Sequence, residues 1–453
     1  MNNADIIIIG SGPGGYQAAC HAAKHGLKVM IAEAADLGGT CLNRGCIPTK
    51  TLCRNAEAAR TLHDAELLGF TGVDDIKLDF KTVMRRKDDV VAQLRSGIET
   101  LMKHPNIELV HGKAQFKDAH TILVNGEEYA APNIIIATGA TAKLPPIAGI
   151  TLNGVVTSTE LLGLEALPKR LCIIGAGVVG MEFASIFSSL GSEVTVIEFL
   201  KEALPVVDSD IAKRLRQTIG KHGVTFYMQS AVKSIEETVG EDNSRQLTIT
   251  FDKKGKEQQV DADIVLVATG RKAYTEGLGL ENAGIEVGGK GISVDNDFMT
   301  SAEGVYAIGD VNGKCMLAHA ATFQGFHVVN HIVGKTDNIK LDIMPSAVFT
   351  YPEAACVGMS EDACKAEGIE YSCRKQFYRA NGKALAMNEP DGMLKLMVGA
   401  DGKIVGCHAF GAHSADIVQE VAAIMHYGGS VESLADIVHI HPTLSEILHS
   451  AAM

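Results

Sequence analysis

Two cysteines, Cys41 and Cys46, lie five positions apart in the stretch GGTCLNRGCIPTK. A disulfide between residues this close closes a very small loop, so cross-linking adds little stability. A nearby helix start would instead make the bond reducible and a thiolate accessible. The spacing therefore favours a redox pair. The alternatives are two core cysteines or half of a zinc site, and the sequence offers no matching ligand pair at zinc spacing, so no metal is expected.

A histidine and a carboxylate lie close together in the stretch HIHPTLSEIL, where Glu446 follows His441 by five positions. Histidine titrates near neutral pH, which suits proton transfer to and from a thiol. A carboxylate can orient the imidazole, as in a Ser-His-Asp triad. The structural alternative is a capping box, Thr443-x-x-Glu446, with His441 in the preceding turn. Both roles of Glu446 can coexist, and His439 is the less favoured base.

A glycine-rich turn follows the first apolar run of the chain. Gly10, Gly12 and Gly15 have the G-x-G-x-x-G spacing between a predicted strand and a predicted helix, and the next strand ends at Glu33. Such glycines let the backbone approach a pyrophosphate at the helix N-terminus. The acid is placed to accept hydrogen bonds from a ribose diol. This unit predicts a dinucleotide site.

The same unit recurs later in the chain, with Gly175, Gly177 and Gly180 before a helix and Glu198 at the end of the next strand. Two units predict two dinucleotides, most simply a flavin and a nicotinamide that exchange electrons. Glu198 suits a free ribose hydroxyl and repels a 2′-phosphate, and the residues after it offer only Lys201 as a cation. NAD is therefore favoured over NADP.

Three further strand ends fit cofactor-binding domains. The segments 133–140 and 263–271 each combine a strand with Ala-Thr-Gly, and GVYAIGDV ends a strand close to Asp310. The twin segments are expected to complete the two dinucleotide units. Asp310 could bind a sugar or ribityl hydroxyl, or could be an ordinary turn aspartate.

The composition excludes several classes of function. With 453 residues the chain is expected to fold into several domains, and its net charge of −13 argues against binding nucleic acid or an anionic membrane. The short basic run 85–87 is predicted to be a solvated helix face. No signal peptide and no apolar run of membrane-spanning length is evident. The spread of the ten cysteines indicates a reducing, cytoplasmic setting.

In this order the motifs resemble the pyridine nucleotide–disulfide oxidoreductases along nearly the whole chain. They are most similar to members that oxidise dihydrolipoyl groups, in GGTCLNRGCIPTK, GVVGMEFASIFSSLGSEVTVIE, GVYAIGDVNGKCMLAHAATFQG and HIHPTLSEIL. Two residues depart from the family pattern: Arg44 stands where a small apolar residue is more usual, and Tyr351 where histidine is common.

The resemblance implies FAD, NAD and a homodimer whose active site uses both chains. It implies that Cys41 meets the substrate and that Cys46 lies against the flavin. Lys50 and Glu182 are the implied ion pair beside the flavin, and His441 with Glu446 the implied acid–base pair. Besides the motif glycines, Glu33 and Glu198, the implied cofactor-binding residues are Thr40, Cys41, Lys50, Gly112, Thr138, Gly139, Val232, Gly270, Arg271, Asp310 and Ala318.

The expected fold is α/β, with two Rossmann-like dinucleotide-binding domains and a C-terminal α+β dimerisation domain. The predicted segments are 1–145 for FAD, 146–270 for NAD, 271–340 completing the FAD site and 341–453 for the interface. The implied partner is the lipoyl domain of a 2-oxo acid dehydrogenase complex or the H-protein of glycine cleavage. One alternative is an NAD(P)H-dependent reductase of another small disulfide, such as oxidised glutathione. The others are a mercuric reductase and a non-catalytic structural flavoprotein subunit. The C-terminal region lacks the cysteine pair that mercuric reductase would need.

Overall fold

A five-stranded parallel sheet lies in each of the two units into which the chain divides. The computed structural model describes residues 2–73, 75–239 and 245–453. Unit 1 comprises Met1–Thr51, Thr82–Lys143 and Gly270–Leu341, and unit 2 comprises Leu52–Lys81, Leu144–Thr269 and Asp342–Met453. The four domain segments predicted above divide the chain differently and stay a prediction.

The described residues of unit 1 form three sheets. The strands of its parallel sheet, in spatial order, are Val305–Ala307, Asn133–Ile136, Ile6–Ile9, Val29–Glu33 and Ile107–His111. A second sheet contains Asn2–Asn3, Glu127–Ala130, Thr121–Val124 and Ala114–Asp118, and a third pairs Ala140–Ala142 with Arg271–Ala273.

The central strand Ile6–Ile9 is apolar throughout because both of its faces are covered. Ile7 and Ile9 pack into one hydrophobic cluster, and Ile6 and Ile8 pack into another. Burying each of these side chains contributes roughly 1.5–3 kcal/mol. The strand is thereby held at the middle of the sheet, and its carboxyl end delivers the first glycine-rich turn.

The helices of unit 1 differ widely in length, up to the 22 residues of Phe80–Leu101. Their bounds are Pro13–Lys24, Gly39–Arg44, Phe80–Leu101, Ala318–Ile332 and, as 3₁₀ turns, Leu280–Ala283 and Gly309–Asn312. Helix Cys46–His63 begins in unit 1 and continues into unit 2. Pro13 starts the first helix at a position where its missing N–H costs nothing. Small buried residues such as Ala18 let that helix pack closely, since a Cβ on Gly325 would lie 3.1 Å from the Ala18 Cβ.

Unit 2 contains the second parallel sheet, with the strands Val155–Val156, Ile264–Val267, Arg170–Ile174, Glu193–Ile197 and Thr225–Tyr227 in spatial order. An antiparallel sheet of Ser230–Val239, Arg245–Lys253 and Lys256–Ala262 follows it. The helices of this part are Ser158–Leu161, Val178–Leu190 and Ser209–Lys221.

The C-terminal part of unit 2 is α+β. Its antiparallel sheet has the order Ser346–Val348, Ala354–Gly358, Ile404–Phe410, Met393–Gly399 and Tyr371–Phe377. The helices are Glu361–Glu367, Gly382–Ala386, Ser414–His426, Val431–Ala435 and Glu446–Ala452, with a 3₁₀ turn at Tyr378–Ala380. The predicted α/β class with a C-terminal α+β part is confirmed.

One surface prediction was wrong. Arg85 and Arg86 are exposed, but the side chain of Lys87 is only 7% exposed and its ammonium lies 2.7 Å from the Asp88 carboxylate. The helix Phe80–Leu101 turns this residue inward, so the basic run is not a single solvated face. In the described parts of the chain, no helix combines the length and the apolar character needed to span a bilayer.

Candidate active site

The segment that carries the two cysteines packs directly on the first glycine-rich turn. The N–H of Gly38 donates to the Ser11 carbonyl at 3.0 Å. Gly39 has a φ of +59°, and a Cβ there would come within 2.7 Å of the Gly12 Cα. Only glycine fits this approach without moving backbone. The cysteine segment is therefore built against the phosphate-binding turn.

The two thiols lie within hydrogen-bonding reach of each other. Cys41 belongs to the short helix Gly39–Arg44, and Cys46 is the first residue of helix Cys46–His63. The hydrogen bond with Cys46 is the main reason why the pKa of Cys41 is raised, followed by burial. Cys46 at a helix N-terminus has the position that stabilises a thiolate. Both cysteines are free thiols in this structure.

Two cations act on the thiol pair. Lys50 lies one helical turn after Cys46, and its charge opposes the rise in the pKa of Cys41. Arg271 is largely buried, and burial lowers its pKa, whereas the charges of Asp310 and Cys46 raise it. The Arg271 guanidinium also donates to the Ala140 carbonyl and lies 3.9 Å from the Asp310 carboxylate. Burial raises the pKa of Asp310, and Arg271 opposes that rise.

The first glycine-rich turn forms a cradle that fits a pyrophosphate. Gly10 has a φ of +101°, and a Cβ on Gly15 would lie 1.9 Å from the Gly10 carbonyl oxygen. A Cβ on Gly12 would meet nothing within 4 Å, so the space over this residue is open at the start of helix Pro13–Lys24. The Glu33 carboxylate accepts the Ser11 amide at 2.8 Å and the Ser11 hydroxyl at 2.6 Å. The residues present fit a dinucleotide.

The second turn repeats this geometry. Gly175 has a φ of +107°, the space over Gly177 is open, and a Cβ on Gly180 would lie 2.0 Å from the Gly175 carbonyl oxygen. The Glu198 carboxylate accepts the N–H groups of Ala176 at 2.5 Å and Leu200 at 2.7 Å. These residues also fit a dinucleotide, and a buried carboxylate stands at the position where a ribose diol would bind.

The other predicted cofactor residues are spread over several elements. Thr138 donates to the Tyr274 carbonyl at 2.7 Å, and Gly139 and Gly270 have φ values of +73° and +116°. The rest are placed as follows: Thr40 in helix Gly39–Arg44, Gly112 just after strand Ile107–His111, Ala318 at the start of helix Ala318–Ile332, and Val232 in strand Ser230–Val239.

Glu182 lies inside the second dinucleotide unit. It is 4% exposed on helix Val178–Leu190, and its carboxylate accepts the Phe349 N–H at 2.9 Å. The same helix receives the Tyr351 N–H on the hydroxyl of Ser185 at 2.9 Å. The guanidinium of Arg60 lies over the Tyr351 ring, 3.9 Å from its centroid. Tyr351, which stands where the family commonly has histidine, thus provides a surface on which Arg60 packs.

His441 and Glu446 form a pair. The His441 Nδ1 lies 2.9 Å from the Glu446 Oε1, and the side chain of His441 is 81% exposed. Because a carboxylate only accepts, Nδ1 carries the proton and Nε2 keeps a lone pair for a substrate. The pKa of Glu446 is held below its usual range by the Thr443 N–H and by His441. The predicted capping box differs in detail, since the helix begins at Glu446 itself with Ser445 as its N-cap.

His439 is engaged by neighbouring groups on both ring nitrogens. Its Nδ1 lies 2.9 Å from the Ile437 carbonyl and its Nε2 lies 2.9 Å from the Glu420 carboxylate. The side chain is only 6% exposed. It therefore has no free nitrogen for a substrate, which leaves His441 as the candidate base.

Sequence reasoning missed Ser11 and Asn43. Ser11 stands between the first two motif glycines and binds Glu33, and Asn43 stands between the two cysteines. Both lie inside motifs that were recognised by their glycines and cysteines. A polar side chain at each position was the sequence feature that could have indicated a role. Arg44 is exposed on the same short helix as Cys41.

Comparisons with known proteins agree over the whole chain. Residues 4–325 match the family model "Pyridine nucleotide-disulphide oxidoreductase", and residues 344–452 match its dimerisation domain, which indicates a homodimer. The chain is 39% identical to "Dihydrolipoyl dehydrogenase" of Thermus scotoductus, covering 100% of this chain and 97% of the relative. It is 37% identical to "Dihydrolipoyl dehydrogenase, mitochondrial" of Pisum sativum, covering 99% and 91%.

A similar solved structure is the HOCl-induced flavoprotein disulfide reductase RclA from Escherichia coli, with a TM-score of 0.87, 32% identity and 99% of each chain covered. The predicted resemblance is confirmed: this chain belongs to the pyridine nucleotide-disulphide oxidoreductase family.

Proposed function

We propose that this protein is a dihydrolipoyl dehydrogenase, which oxidises dihydrolipoyl groups to the lipoyl disulfide and reduces NAD⁺ to NADH with FAD as the intermediate carrier. The observation that carries the proposal is the hydrogen-bonded pair Cys41 and Cys46, built against the first dinucleotide cradle. Full-length relatives with 35–39% identity bear the name dihydrolipoyl dehydrogenase.

His441 is the proposed general base. Its Nε2 takes the proton of one dihydrolipoyl thiol, and Glu446 stabilises the imidazolium that forms through Nδ1. The thiolate attacks Sγ of Cys41 in the oxidised pair. The disulfide bond breaks, a mixed disulfide forms with Cys41, and Cys46 leaves as a thiolate.

The second dihydrolipoyl thiol completes the exchange. Its proton passes to solvent, and the resulting thiolate attacks the substrate sulfur of the mixed disulfide. The bond to Cys41 breaks, the lipoyl disulfide leaves, and the Cys41 thiolate takes the proton held by the His441 imidazolium. Two electrons have then moved from the substrate to the cysteine pair. The charge of Lys50 acts on Cys41 and that of Arg271 interacts with Cys46, so both cations favour thiolates in the reduced pair.

The cofactors are assigned to the two cradles. When bound, FAD supplies the two-electron chemistry that connects the cysteine pair with NAD. We assign FAD to the cradle of Gly10, Gly12, Gly15 and Glu33, with Thr40, Gly112, Thr138, Gly139, Asp310 and Ala318. We assign NAD to the cradle of Gly175, Gly177, Gly180 and Glu198. Val232, Gly270 and Arg271 are proposed as further cofactor-binding residues. Lys50 and Glu182 are proposed as an ion pair beside the flavin.

The partner is proposed to be a lipoyl-bearing protein, either the lipoyl domain of a 2-oxo acid dehydrogenase complex or the H-protein of glycine cleavage. In the homodimer, His441 and Glu446 of one subunit are proposed to serve the cysteine pair of its partner. The segments 1–145, 146–270, 271–340 and 341–453 are the proposed domains, and the cytoplasm is the proposed location.

The test is an assay of the purified protein with dihydrolipoamide and NAD⁺, run beside NADPH with oxidised glutathione. We expect rapid NADH formation in the first assay and no turnover in the second. A yellow, flavin-loaded protein that reduces only oxidised glutathione would refute the proposed substrate. The family membership would still hold.

A further inference from the structure

The helix Phe80–Leu101 holds Asn43, which lies between the two redox cysteines, through a single arginine. The guanidinium of Arg95 donates to the Asn43 Oδ1 twice, from Nε at 3.1 Å and from Nη2 at 2.7 Å. A two-pronged contact from a planar, permanently charged group sets direction as well as distance.

The contact also settles how the Asn43 amide is turned. An arginine can only donate, so the amide oxygen must face Arg95 and the amide nitrogen must face the other way. The nitrogen donates to the carbonyls of Leu37 and Gly39, each at 2.9 Å. Asn43 is thus held on one side by Arg95 and on the other by the backbone that leads into Cys41.

Arg95 contacts this segment at a second point. Its Nη1 lies 3.3 Å from the Asp36 carboxylate, so one side chain ties together positions 36 and 43. Cys41 lies between these two positions. The Arg95 side chain is 32% exposed, and its charge is paired with Asp36. The electrostatic effect of Arg95 is therefore weak, and its hydrogen-bond geometry matters more.

We propose that Arg95 is a positioning residue for the Cys41–Cys46 pair, acting through Asn43. It acts through its contacts with Asn43 and Asp36. By holding the segment 36–43 it keeps the Cys41 sulfur near the Cys46 sulfur in the reduced state, so that disulfide closure costs little chain ordering. The inference deepens the proposed function and rests on the cysteine pair being its redox group.

The effect is measurable as a thiol–disulfide equilibrium. Holoenzyme is equilibrated with mixtures of reduced and oxidised dithiothreitol, the thiols are trapped by alkylation, and the fraction of closed Cys41–Cys46 is read by mass spectrometry. We expect Arg95→Ala to lower the closure constant by about tenfold, the factor associated with one hydrogen bond to a charged group. Asn43→Ala should have a similar effect, and the two changes together should add little to either.

Two variants separate positioning from charge and from folding. Arg85→Ala removes an exposed arginine of the same helix and should leave the closure constant unchanged. Arg95→Lys keeps the charge and loses the fork, so it should behave as Arg95→Ala. Each variant is first checked for the melting temperature and flavin content of the parent protein. If a variant that breaks the Arg95–Asn43 contact fails this check, Asn43→Ser is used in its place.

A closure constant of Arg95→Ala equal to that of Arg85→Ala would overturn the proposal, and so would full recovery in Arg95→Lys. The equilibrium is measured without lipoyl substrate, whereas the proposed function is tested by NADH formation from the parent protein. A parent protein without activity towards dihydrolipoamide would therefore refute the substrate and not the role of Arg95.

Discussion

The Nδ1 atom of His441 lies 2.9 Å from one oxygen of Glu446, and the other oxygen accepts the N–H of Thr443 at 2.8 Å. The carboxylate is thus held by the backbone while it holds the imidazole. The imidazole held in this way belongs to a side chain that is 81% exposed, and it lies two residues from a histidine whose ring nitrogens are both engaged.

Glu446→Gln should lower kcat for dihydrolipoamide oxidation by about 10²-fold, because a neutral amide neither sets the tautomer nor stabilises the imidazolium. Steady-state kinetics at saturating NAD⁺ gives the value. Glu420→Gln is the matched control, since the Glu420 carboxylate lies 2.9 Å from Nε2 of His439, a histidine with no proposed proton-transfer role, and the change should alter kcat little. Equal losses in the two variants would contradict the choice of His441 as base.

Cys46→Ser should reduce turnover by roughly three orders of magnitude or more, because a single thiol cannot close a disulfide. Cys53→Ser provides the control on the same helix, where Cys53 donates to the Phe349 carbonyl at 3.4 Å and has no proposed redox role. We expect the control to keep at least half of the parent activity. Normal turnover of dihydrolipoamide by Cys46→Ser would refute the exchange mechanism.

The two cradles should respond differently to the loss of their carboxylates. Glu198→Ala should raise KM for NAD⁺ by about 10–100-fold, the effect of losing hydrogen bonds to a charged acceptor, while the protein keeps its flavin. Glu33→Ala should instead lower the flavin content after purification, because Glu33 belongs to the other cradle. Flavin absorbance per chain and KM for NAD⁺ are measured for both. If Glu198→Ala loses flavin and Glu33→Ala does not, the assignment of FAD and NAD to the two cradles would be reversed.

Local sequence patterns predicted the elements that local physics determines. Gly10 and Gly175 sit where a backbone φ near +100° is required. The strand ending at Glu33 and the strand ending just before Glu198 were recognisable as short apolar runs. The pairing of His441 with Glu446 was implied by the family resemblance, and the structure places the two side chains 2.9 Å apart.

Contacts between distant positions were not predictable in this way. Asn43 and Arg95 are 52 residues apart, and Lys395 and Asp208 are 187 residues apart. Nothing in the sequence around Lys395 shows that its side chain is only 1% exposed, because strand Met393–Gly399 alternates between two buried faces. Such pairings are set by tertiary packing, which overrides the preference of lysine for solvent.

Lys395→Met should destabilise the protein by about 3–5 kcal/mol, since it leaves buried carboxylates without their cation. The Lys395 ammonium lies 2.6 Å from Asp208, which is fully buried, and 2.7 Å from Glu361. Lys403→Met is the control, because the Lys403 side chain is 63% exposed and lies 3.5 Å from Asp401. Denaturant unfolding should separate the two variants clearly, and equal stabilities would contradict the role assigned to the buried cluster.

Glu361 should make stability depend on pH in the acid range. Hydrogen bonds from Lys395 and Lys365 lower its pKa from the usual 4.5 to about 2. Because the folded-state pKa lies below the unfolded value, the stabilisation is present above pH 4.5 and is lost as the pH falls from 4.5 towards 2. Glu361→Gln should therefore lower the melting temperature by about 2–4 °C at pH 7 and narrow its difference from the parent protein below pH 4. Glu257→Gln removes an exposed partner of Lys233 and should have the melting temperature of the parent protein at every pH. A difference in melting temperature between Glu361→Gln and the parent that stays constant with pH would show that ionisation of Glu361 does not contribute.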